Sequence, residues 1–392
     1  MQEMIEIYLE KYLPRKDIIH RLPVSLPISK VWPELQKARR DKSESLPLLS
    51  IDGKPFWWVL TESISSQADE VISLARREIV FDRPEYEEAF REAVLDEAVY
   101  SSVIEGAFTT KKEAREFIHE GRSPKNKSEQ MVKNNFEALT YVLEHIDESI
   151  TEQTIFDIYA LVTKDTLEAD VPTNAYRSES VFVQSSRGEI VHTAPEAEKV
   201  SGMMASLLEF ITNNELSPLI KACIAHFYFV YVHPFIDGNG RTARALSFMM
   251  LLQAGYDFFR YFSISGVIAE ERAKYYKAIK DVEDDDFDMT YFIDYYTGML
   301  ARAVKAMEER LVDKVVMEQT LDKLKAAGMN TRVIEGAKWI LTSPNQSITI
   351  KAWQKKFGVV LETARQDLFK LEDAGIVHRK LVKRQYVFEV KK

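Results

Sequence analysis

The stretch HPFIDGNGRTAR, residues 233–244, places one histidine, one carboxylate and two arginines around closely spaced turn-forming residues. Pro234 disfavours the α conformation at His233, which predicts that the preceding helix ends there. Residues 238–240 then lie at the mouth of a new helix, expected to begin near Arg241. The first N–H groups of a helix and its dipole together attract anions. The stretch is therefore expected to hold a polyphosphate.

The charged side chains of this loop suggest separate tasks. Arg241 and Arg244 are three residues apart, so both are expected on one helix face, within reach of phosphate oxygens. Asp237 would repel a phosphate directly, and is better placed to bind Mg²⁺ that bridges phosphate oxygens. His233 at the rim can act as general base for an incoming hydroxyl. A histidine before proline is often only structural, but the whole set at this spacing favours chemistry. Phe235 is expected to anchor the loop in the core.

Buried helices are predicted on both sides of the loop. PLIKACIAHFYFVYVHPF, residues 218–235, is apolar nearly all round, as expected for a central buried helix. The helix after the loop should run through ALSFMMLLQAG to Gly255. Upstream, apolar residues recur at helical spacing over residues 85–106, and Gly106 suits the end of that helix. Thr110 and Glu113 form a capping box that opens another helix.

The remaining middle part is predicted to be helical with one hairpin. Helices are expected over residues 128–145, 151–168 and 195–213. Between the last two, SVFV and EIVHT flank Ser-Ser-Arg-Gly within residues 176–195, which predicts a β-hairpin. The acidic cluster EDDD, residues 283–286, is expected to be a solvated loop because no histidine lies nearby in sequence to suggest a metal site.

Composition sets the class of protein. The chain has 392 residues, 46% of them hydrophobic, enough for two or three domains. Its one cysteine, Cys223, lies in an apolar run and excludes an intrachain disulfide framework. Charged residues interrupt every apolar stretch, and no apolar run follows a basic start. We therefore expect a cytoplasmic protein that has no membrane partner.

The two ends of the chain differ in character. Residues 1–84 are expected to be a segment docked on the main body, in which KPFWWVL at 54–60 could form a strand. Residues 311–330 are expected to be a linker helix. From Thr331 onward there are 13 Lys/Arg and 6 Asp/Glu, so this part has a net charge of +7. The net charge of the whole chain is −9, and the first 330 residues therefore carry −16. A basic module on an acidic body suggests separate partners.

Residues 331–392 have the pattern of a winged helix. Helices are expected at 330–341, 349–358 and 361–375, followed by an alternating two-stranded wing. Residues that could contact phosphates and bases are on the third helix and the wing: Thr363, Arg365, Gln366, Arg379, Lys380, Lys383 and Arg384. DNA binding and protein docking, including homodimer formation, are both left open.

HPFIDGNGRTAR also resembles the signature of Fic-domain proteins, His-Pro-Phe-x-Asp/Glu-Gly-Asn-Gly-Arg-x-x-Arg, without a departure. The resemblance covers residues 85–310 and implies a mainly α fold, in which a Fic helical core carries an inserted β-hairpin flap. A C-terminal winged-helix domain of class α+β follows. The activity implied is transfer of AMP from ATP to a Ser, Thr or Tyr hydroxyl of a target protein. Related Doc kinases usually carry Ala-Asn-Lys at 238–240, so Gly240 favours nucleotidyl transfer.

The resemblance also implies roles for individual residues. His233 would deprotonate the target hydroxyl and Asp237 would hold Mg²⁺ for the ATP co-substrate. The ATP-binding residues would be those of the anion hole, the two arginines for the β- and γ-phosphates, and the threonine between them: Gly238, Asn239, Gly240, Arg241, Arg244 and Thr242.

A second motif, SSVIEG at 101–106, resembles the inhibitory motif Ser/Thr-x-x-x-Glu-Gly/Asn of the same family. Its functional positions would be Ser101, Glu105 and Gly106. Glu105 is expected to form a bidentate pair with Arg244 and so to occupy the group that should hold the γ-phosphate. The resemblance implies self-inhibition by an N-terminal helix. Some relatives use the same glutamate to remove AMP, and the dominant direction is left open.

Two further regions resemble family features. AKYYKAI at 273–279 resembles a helix that lines the nucleotide pocket, with Tyr275 and Tyr276 as candidates, although a tyrosine pair on a helix is more often packing. Glu283 stands where some relatives place an asparagine near the adenine, so base selectivity stays open. The hairpin would pair with an extended target segment. Its lining residues would be Val181, Val183, Ile190 and Val191.

A second function from another class is a DNA-binding regulator whose Fic body senses nucleotide. The first hypothesis requires His233 for activity and the second does not.

Overall fold

The computed structural model describes residues 1–75, 84–168, 171–184, 190–343, 347–382 and 385–391. These residues form two compact units, Met1–Lys305 and Ala306–Lys392. The chain is mainly helical. The first unit contains the signature loop, and the second contains the basic module.

The N-terminal part of the first unit has four helices and one small sheet: α1 (Gln2–Lys11), α2 (Arg15–Ile18), α3 (Ile28–Arg40), β1 (Glu44–Leu49), β2 (Pro55–Trp58) and α4 (Glu62–Ala75). The two strands pair antiparallel. Five buried side chains form a small core of their own: Ile5, Tyr8, Ile18, Trp32 and Leu35. Backbone bonds between Trp57 and Met289 and between Trp57 and Phe287 attach β2 to the helical body.

The acidic cluster at 283–286 holds this N-terminal part in place. The backbone N–H of Arg15 donates to the carboxylate of Asp285, which is buried. Asp286 pairs with Arg40 at 2.6 Å and with Lys54 at 3.1 Å. The interpretation of the cluster as a solvated loop is therefore wrong. Sequence spacing could not reveal these partners because they lie more than two hundred residues away.

The helical body contains the remaining elements of the first unit: α5 (Pro84–Ile104), α6 (Lys111–His119), α7 (Lys127–Glu144), α8 (Glu152–Thr163), β3 (Phe182–Gln184), β4 (Ile190–Thr193), α9 (Ala197–Asn213), α10 (Pro218–Val232), α11 (Asn239–Gln253), a short 3₁₀ helix (Asp257–Tyr261), α12 (Ile264–Glu270), α13 (Arg272–Asp284) and α14 (Thr290–Ala326), which continues into the second unit. β3 and β4 pair antiparallel as a hairpin.

α10 and α11 form the buried centre of the body. Nearly every residue of both helices is inaccessible to solvent, including Cys223, as its apolar surroundings predicted. The capping box of Thr110 and Glu113 is also present. Helix α8, however, ends at Thr163 and not at residue 168. The amide of Asn134 donates to the carbonyls of Val162 and Lys164, so a buried side chain satisfies groups left open at the helix end.

The second unit has three more helices and a three-stranded sheet: α15 (Thr331–Thr342), β5 (Ser347–Thr349), α16 (Ile350–Phe357), α17 (Leu361–Asp373), β6 (Val377–Val382) and β7 (Gln385–Val390). The strand order is β5-β7-β6. Trp353 is at the centre of its core, and a Cβ atom at Gly336 would overlap the Trp353 ring. The sequence did not predict the short strand β5, because three residues are too few to show the alternation of apolar and polar side chains that is typical of a strand.

Within the described residues, the helices are too short or too polar to cross a membrane.

Candidate active site

His233 ends helix α10 in an unusual backbone conformation. Its φ of 49° and ψ of 60° are left-handed, and its N–H still donates to the carbonyl of Phe229 at 3.0 Å. Pro234 explains the departure from the α region, as predicted. For a residue with a Cβ atom, such a conformation costs on the order of 1–3 kcal/mol and persists only where surrounding contacts fix it.

The imidazole of His233 is held in one tautomer. Its Nδ1 lies 3.2 Å from the carbonyl oxygen of Val230, which can only accept a hydrogen bond. Nδ1 therefore carries the proton, and Nε2 keeps the lone pair that a general base needs. Burial lowers the pKa of His233 to about 4, and the nearby His192 and Arg177 act in the same direction. The ring is thus neutral near pH 7.

The loop after His233 is pinned to the core by two side chains. Asn239 accepts the N–H of Phe235 at 2.9 Å and donates its amide to the Phe235 carbonyl at 2.8 Å. The Phe235 ring stacks on Tyr159 with centroids 3.6 Å apart and is 1% exposed. The prediction that Phe235 anchors the loop is therefore confirmed. Because the Asn239 side chain is bonded to the Phe235 backbone, only the backbone N–H of Asn239 could bind an anion.

Gly238 makes the sharp entry into α11. Its φ is 83°, and a Cβ atom would lie 2.7 Å from the Cγ2 methyl of Thr163. Helix α11 begins at Asn239, two residues before the expected start. The N–H groups of the first turn of a helix have no partner within it. This end of α11 is therefore suited to an anion, as the sequence predicts.

Asp237 is a carboxylate beside this helix end, with a side chain that is 48% exposed. Its Oδ1 accepts the N–H of Gly238 at 2.6 Å and lies 3.4 Å from Arg241 Nη2. One carboxylate plus substrate phosphates and water is a common environment for Mg²⁺, so the residue fits the metal role predicted for it. Among the described residues, no group of three or more His, Cys, Asp or Glu side chains could hold a metal ion unaided.

The two signature arginines do not act together in this state. Arg241 is 0% exposed, and its Nη1 donates to the Val162 carbonyl at 2.9 Å, which secures α11 to α8. Thr242 is also enclosed, and its hydroxyl donates to the Gly238 carbonyl at 3.0 Å. Both arginines are thus buried and bonded to protein groups, and the expectation that both reach phosphate oxygens stays a prediction.

Arg244 is held by the motif at the end of α5. Its Nε donates to the Ser101 hydroxyl at 2.8 Å, and its Nη2 donates to the Ser101 carbonyl at 2.8 Å. Nη2 also donates to Glu105 Oε1 at 2.8 Å. The expected pairing of Glu105 with Arg244 is present, but the bidentate geometry is wrong. Ser101 accepts from Nε and Nη2, and Nη1 has no hydrogen-bond partner among the described residues, so only Nη2 bonds to Glu105.

Glu105 lies directly over the start of α11. A Cβ atom at Gly240 would overlap the Glu105 carboxylate, and it would be 3.1 Å from Arg244 Nη1. Gly106, with a φ of 91°, turns the chain immediately after Glu105. The Glu105 side chain is 28% exposed, whereas that of Arg244 is 2% exposed. A protein carboxylate therefore lies against the start of α11.

The two tyrosines of α13 lie near Glu105 and Arg244 but differ in their exposure to solvent. The Tyr275 hydroxyl is 2.8 Å from His226 Nε2, and the residue is 2% exposed, so it mainly packs the core. Tyr276 is 37% exposed and is the better candidate for contact with a nucleotide. Glu283 Oε1 lies 2.8 Å from His192 Nδ1, which ties α13 to strand β4.

The hairpin carries Val181 just before β3, partly buried, and the exposed Phe182 within it. Val183, Ile190 and Val191 are in the two strands, but their side chains lie outside the described residues. Sequence reasoning missed two residues at the base of the hairpin, His192 and Arg177. The only indication in the sequence was that both residues lie within the segment predicted to form the hairpin.

Comparison with known proteins agrees with this geometry. Residues 149–251 match the Fic/DOC family model. That range includes His233 and the whole loop, but neither the SSVIEG motif nor the C-terminal unit. The inhibitory helix and the winged-helix assignment thus stay predictions.

Curated relatives include the protein adenylyltransferase Fic of Nematostella vectensis, 30% identical over 208 residues, or 50% of this chain and 45% of the relative. The protein adenylyltransferase Fic of Drosophila erecta is 26% identical over 234 residues, or 57% of this chain and 43% of the relative. The chain thus spans less than half the length of these two relatives.

A solved Fic family protein from Desulfovibrio desulfuricans G20 has a TM-score of 0.56 at 22% identity, and the match covers 85% of this chain and 98% of that one. At this identity the likeness shows the fold alone.

Proposed function

We propose that this protein is a self-inhibited protein adenylyltransferase, which transfers AMP from ATP to a Ser, Thr or Tyr hydroxyl of a target protein. One observation carries the proposal: a histidine whose Nδ1 bonds to the Val230 carbonyl lies next to the start of a helix that the Glu105 carboxylate covers. The curated relatives named as protein adenylyltransferases support the reaction class.

The transfer step follows from the roles of these groups. The target hydroxyl loses its proton to Nε2 of His233, and its oxygen forms a bond to the α-phosphorus of ATP. The bond between the α-phosphorus and the oxygen bridging to the β-phosphate breaks, and pyrophosphate leaves. The N–H groups at the start of α11 would stabilise the negative charge on the phosphates.

Asp237 is the residue that would hold Mg²⁺, with ATP phosphates and water as the other ligands. When bound, the ion supplies charge that favours departure of pyrophosphate. Arg241 holds the loop, and through it Asp237, against α8.

Self-inhibition follows from the Glu105 position. While its carboxylate bonds to Arg244 and covers Gly240, the γ-phosphate cannot take the same place. ATP can then bind only in a pose that does not align the α-phosphate for attack. We extend the proposal to removal of AMP, for which the same carboxylate would orient a water molecule at the phosphate ester.

The hairpin is the proposed docking element for the target. It is a two-stranded sheet with Phe182 53% exposed, and an extended peptide can add to such an edge as a further strand. Main-chain pairing of this kind would bring a target hydroxyl to the rim where His233 stands.

The DNA-binding alternative lacks a favouring observation. In the second unit, Arg365 lies 3.9 Å from Glu362, and Arg379 lies 3.5 Å from Glu372. Lys383 and Arg384 lie outside the described residues. The start of α17 and the β6–β7 hairpin also expose apolar side chains: Val360, Leu361, Leu381, Val382 and Tyr386. We propose that this unit docks a protein partner.

The experiment that tests the proposal is incubation with labelled ATP, Mg²⁺ and a cell lysate. The wild type should label itself or a target weakly. His233→Ala should abolish this labelling and leave ATP binding nearly intact, because general-base catalysis is worth about 10²–10⁴ in rate. Labelling by the His233→Ala protein equal to that of wild type would contradict the assignment.

A further inference from the structure

Arg177 is a buried cation between the hairpin and His233. It is 5% exposed and lies five residues before strand β3. A guanidinium has five N–H donors in a fixed planar arrangement. Those of Arg177 are directed at backbone carbonyls, and its hydrogen-bond partners among the described residues include no carboxylate.

One side of Arg177 holds the peptide units around His233. Its Nε donates to the His233 carbonyl at 2.8 Å, and its Nη2 lies 3.4 Å from the Val232 carbonyl. Its own backbone N–H donates to the Pro234 carbonyl at 2.9 Å. One residue therefore contacts three consecutive carbonyls, and these contacts can fix the left-handed backbone of His233 against its strain.

The other side of Arg177 holds the base of the hairpin. Its Nη1 donates to the Glu179 carbonyl at 2.7 Å, and its Nη2 donates to the Pro195 carbonyl at 2.5 Å. Residues 179 and 195 flank the two strands on either side. The same guanidinium therefore sets the distance between the hairpin and the catalytic histidine.

The charge of Arg177 also acts on the histidine. Burial lowers the pKa of Arg177, but an arginine guanidinium stays protonated in proteins. Burial is the main cause of the lowered pKa of His233, and Arg177 adds to it. A cation beside the ring favours the neutral imidazole, which is the form that accepts a proton.

We propose that Arg177 is a positioning residue of the transfer reaction. It fixes the position of the hairpin relative to the His233 backbone, so that a hydroxyl docked on the hairpin lies next to Nε2. The proposal rests on the proposed adenylyl transfer. Lysine cannot replace arginine in this role, because a single ammonium cannot span carbonyls on both sides.

The test compares three variants in the Glu105→Gly background, where activity is expected to be measurable. Arg177→Gln removes the charge and most donors, and Arg177→Lys keeps the charge alone. Arg39→Gln is the matched control, because Arg39 is 1% exposed and donates to the carbonyls of Tyr8 and Leu13, in the N-terminal part of the unit. The readouts are kcat, ATP affinity by calorimetry, and the pH dependence of kcat/KM for the target.

We expect kcat of Arg177→Gln to fall about 100-fold with ATP affinity within about twofold, since a displacement near 1 Å can cost that much in rate. The acidic limb of its pH profile should move upward only slightly, because burial, the main cause of the lowered pKa of His233, remains. Arg177→Lys should lose at least about tenfold in kcat and keep the pH profile of its parent. Arg39→Gln should lower Tm and leave kcat and the pH profile unchanged.

Retention of the parent kcat by Arg177→Lys would overturn the positioning role, and this variant decides the matter if Arg177→Gln fails to fold. An inactive Glu105→Gly parent would instead refute the proposed function. In that case, NMR titration of His233, assigned by loss of its signals in His233→Ala, tests Arg177 without activity. Unchanged His233 backbone chemical shifts in Arg177→Gln throughout that titration would then overturn the inference, and displaced shifts would support it.

Discussion

Replacing Glu105 by glycine should activate the protein. The change removes the carboxylate that bonds to Arg244 Nη2 at 2.8 Å and covers the start of α11. It leaves both bonds from Arg244 to Ser101 in place, so the guanidinium stays oriented. Glycine also tolerates the turn that the chain makes at this point. The γ-phosphate can then take the position of the carboxylate.

The size of the gain follows from one charged hydrogen bond. Such a bond contributes about 1.5–3 kcal/mol. If the wild type must break it to reach the competent state, that state holds about one molecule in 10 to one in 150. Glu105→Gly should therefore raise the labelling rate by about 10- to 150-fold. The gain should appear in kcat, because inhibition misplaces ATP without excluding it.

The assay is initial-rate labelling with ATP and Mg²⁺, together with ATP binding by calorimetry. Glu105→Gln is the matched control, since it keeps the shape and a weaker, uncharged hydrogen bond, and it should give an intermediate rate. Adding Arg244→Ala to Glu105→Gly should cancel the gain. A Glu105→Gly protein no faster than wild type would refute the self-inhibition, and it would leave the role of His233 standing.

Three further outcomes are expected. Because the pKa of His233 is lowered to about 4, the base stays neutral in mild acid, and kcat/KM of Glu105→Gly should stay flat from pH 8 down to about pH 5. A fall already near pH 6.5 would show an unperturbed histidine. Asp237→Ala should raise the Mg²⁺ concentration needed for half-maximal labelling, and an unchanged requirement in a metal titration would contradict its metal role. Deleting residues 331–392 should spare self-labelling, because all proposed catalytic groups lie in the first unit; loss of labelling by a folded truncated protein would be contrary evidence.

The sequence predicted the elements that carry the site because their signals are local. The apolar run of α10, the break at Pro234 and the capping box of Thr110 each depend on residues close together in the chain, and all three are present. The pairing of Glu105 with Arg244 was also predicted, from motif resemblance and not from spacing.

The sequence could not predict how donors are shared between distant partners. Arg241 and Arg244 look equivalent at i and i+3, but Arg241 donates to the Val162 carbonyl, whereas Arg244 donates to Ser101 and Glu105. Arg177 donates to carbonyls, which every residue carries, so no side-chain pattern marks its partners. Such contacts become visible only once the chain is folded.

The carboxylate over Gly240 has a consequence for stability as well as for rate. In the resting protein Glu105 complements the partial positive charge at the start of α11, a role that otherwise falls to the substrate. Activation therefore leaves a helix end unneutralised until nucleotide arrives, and the active form should melt at a lower temperature in the absence of ATP. Any cellular activator that pulls Glu105 away must supply this free energy through its own binding. If the released protein binds ATP as proposed, ATP should raise its melting temperature more than that of the resting protein.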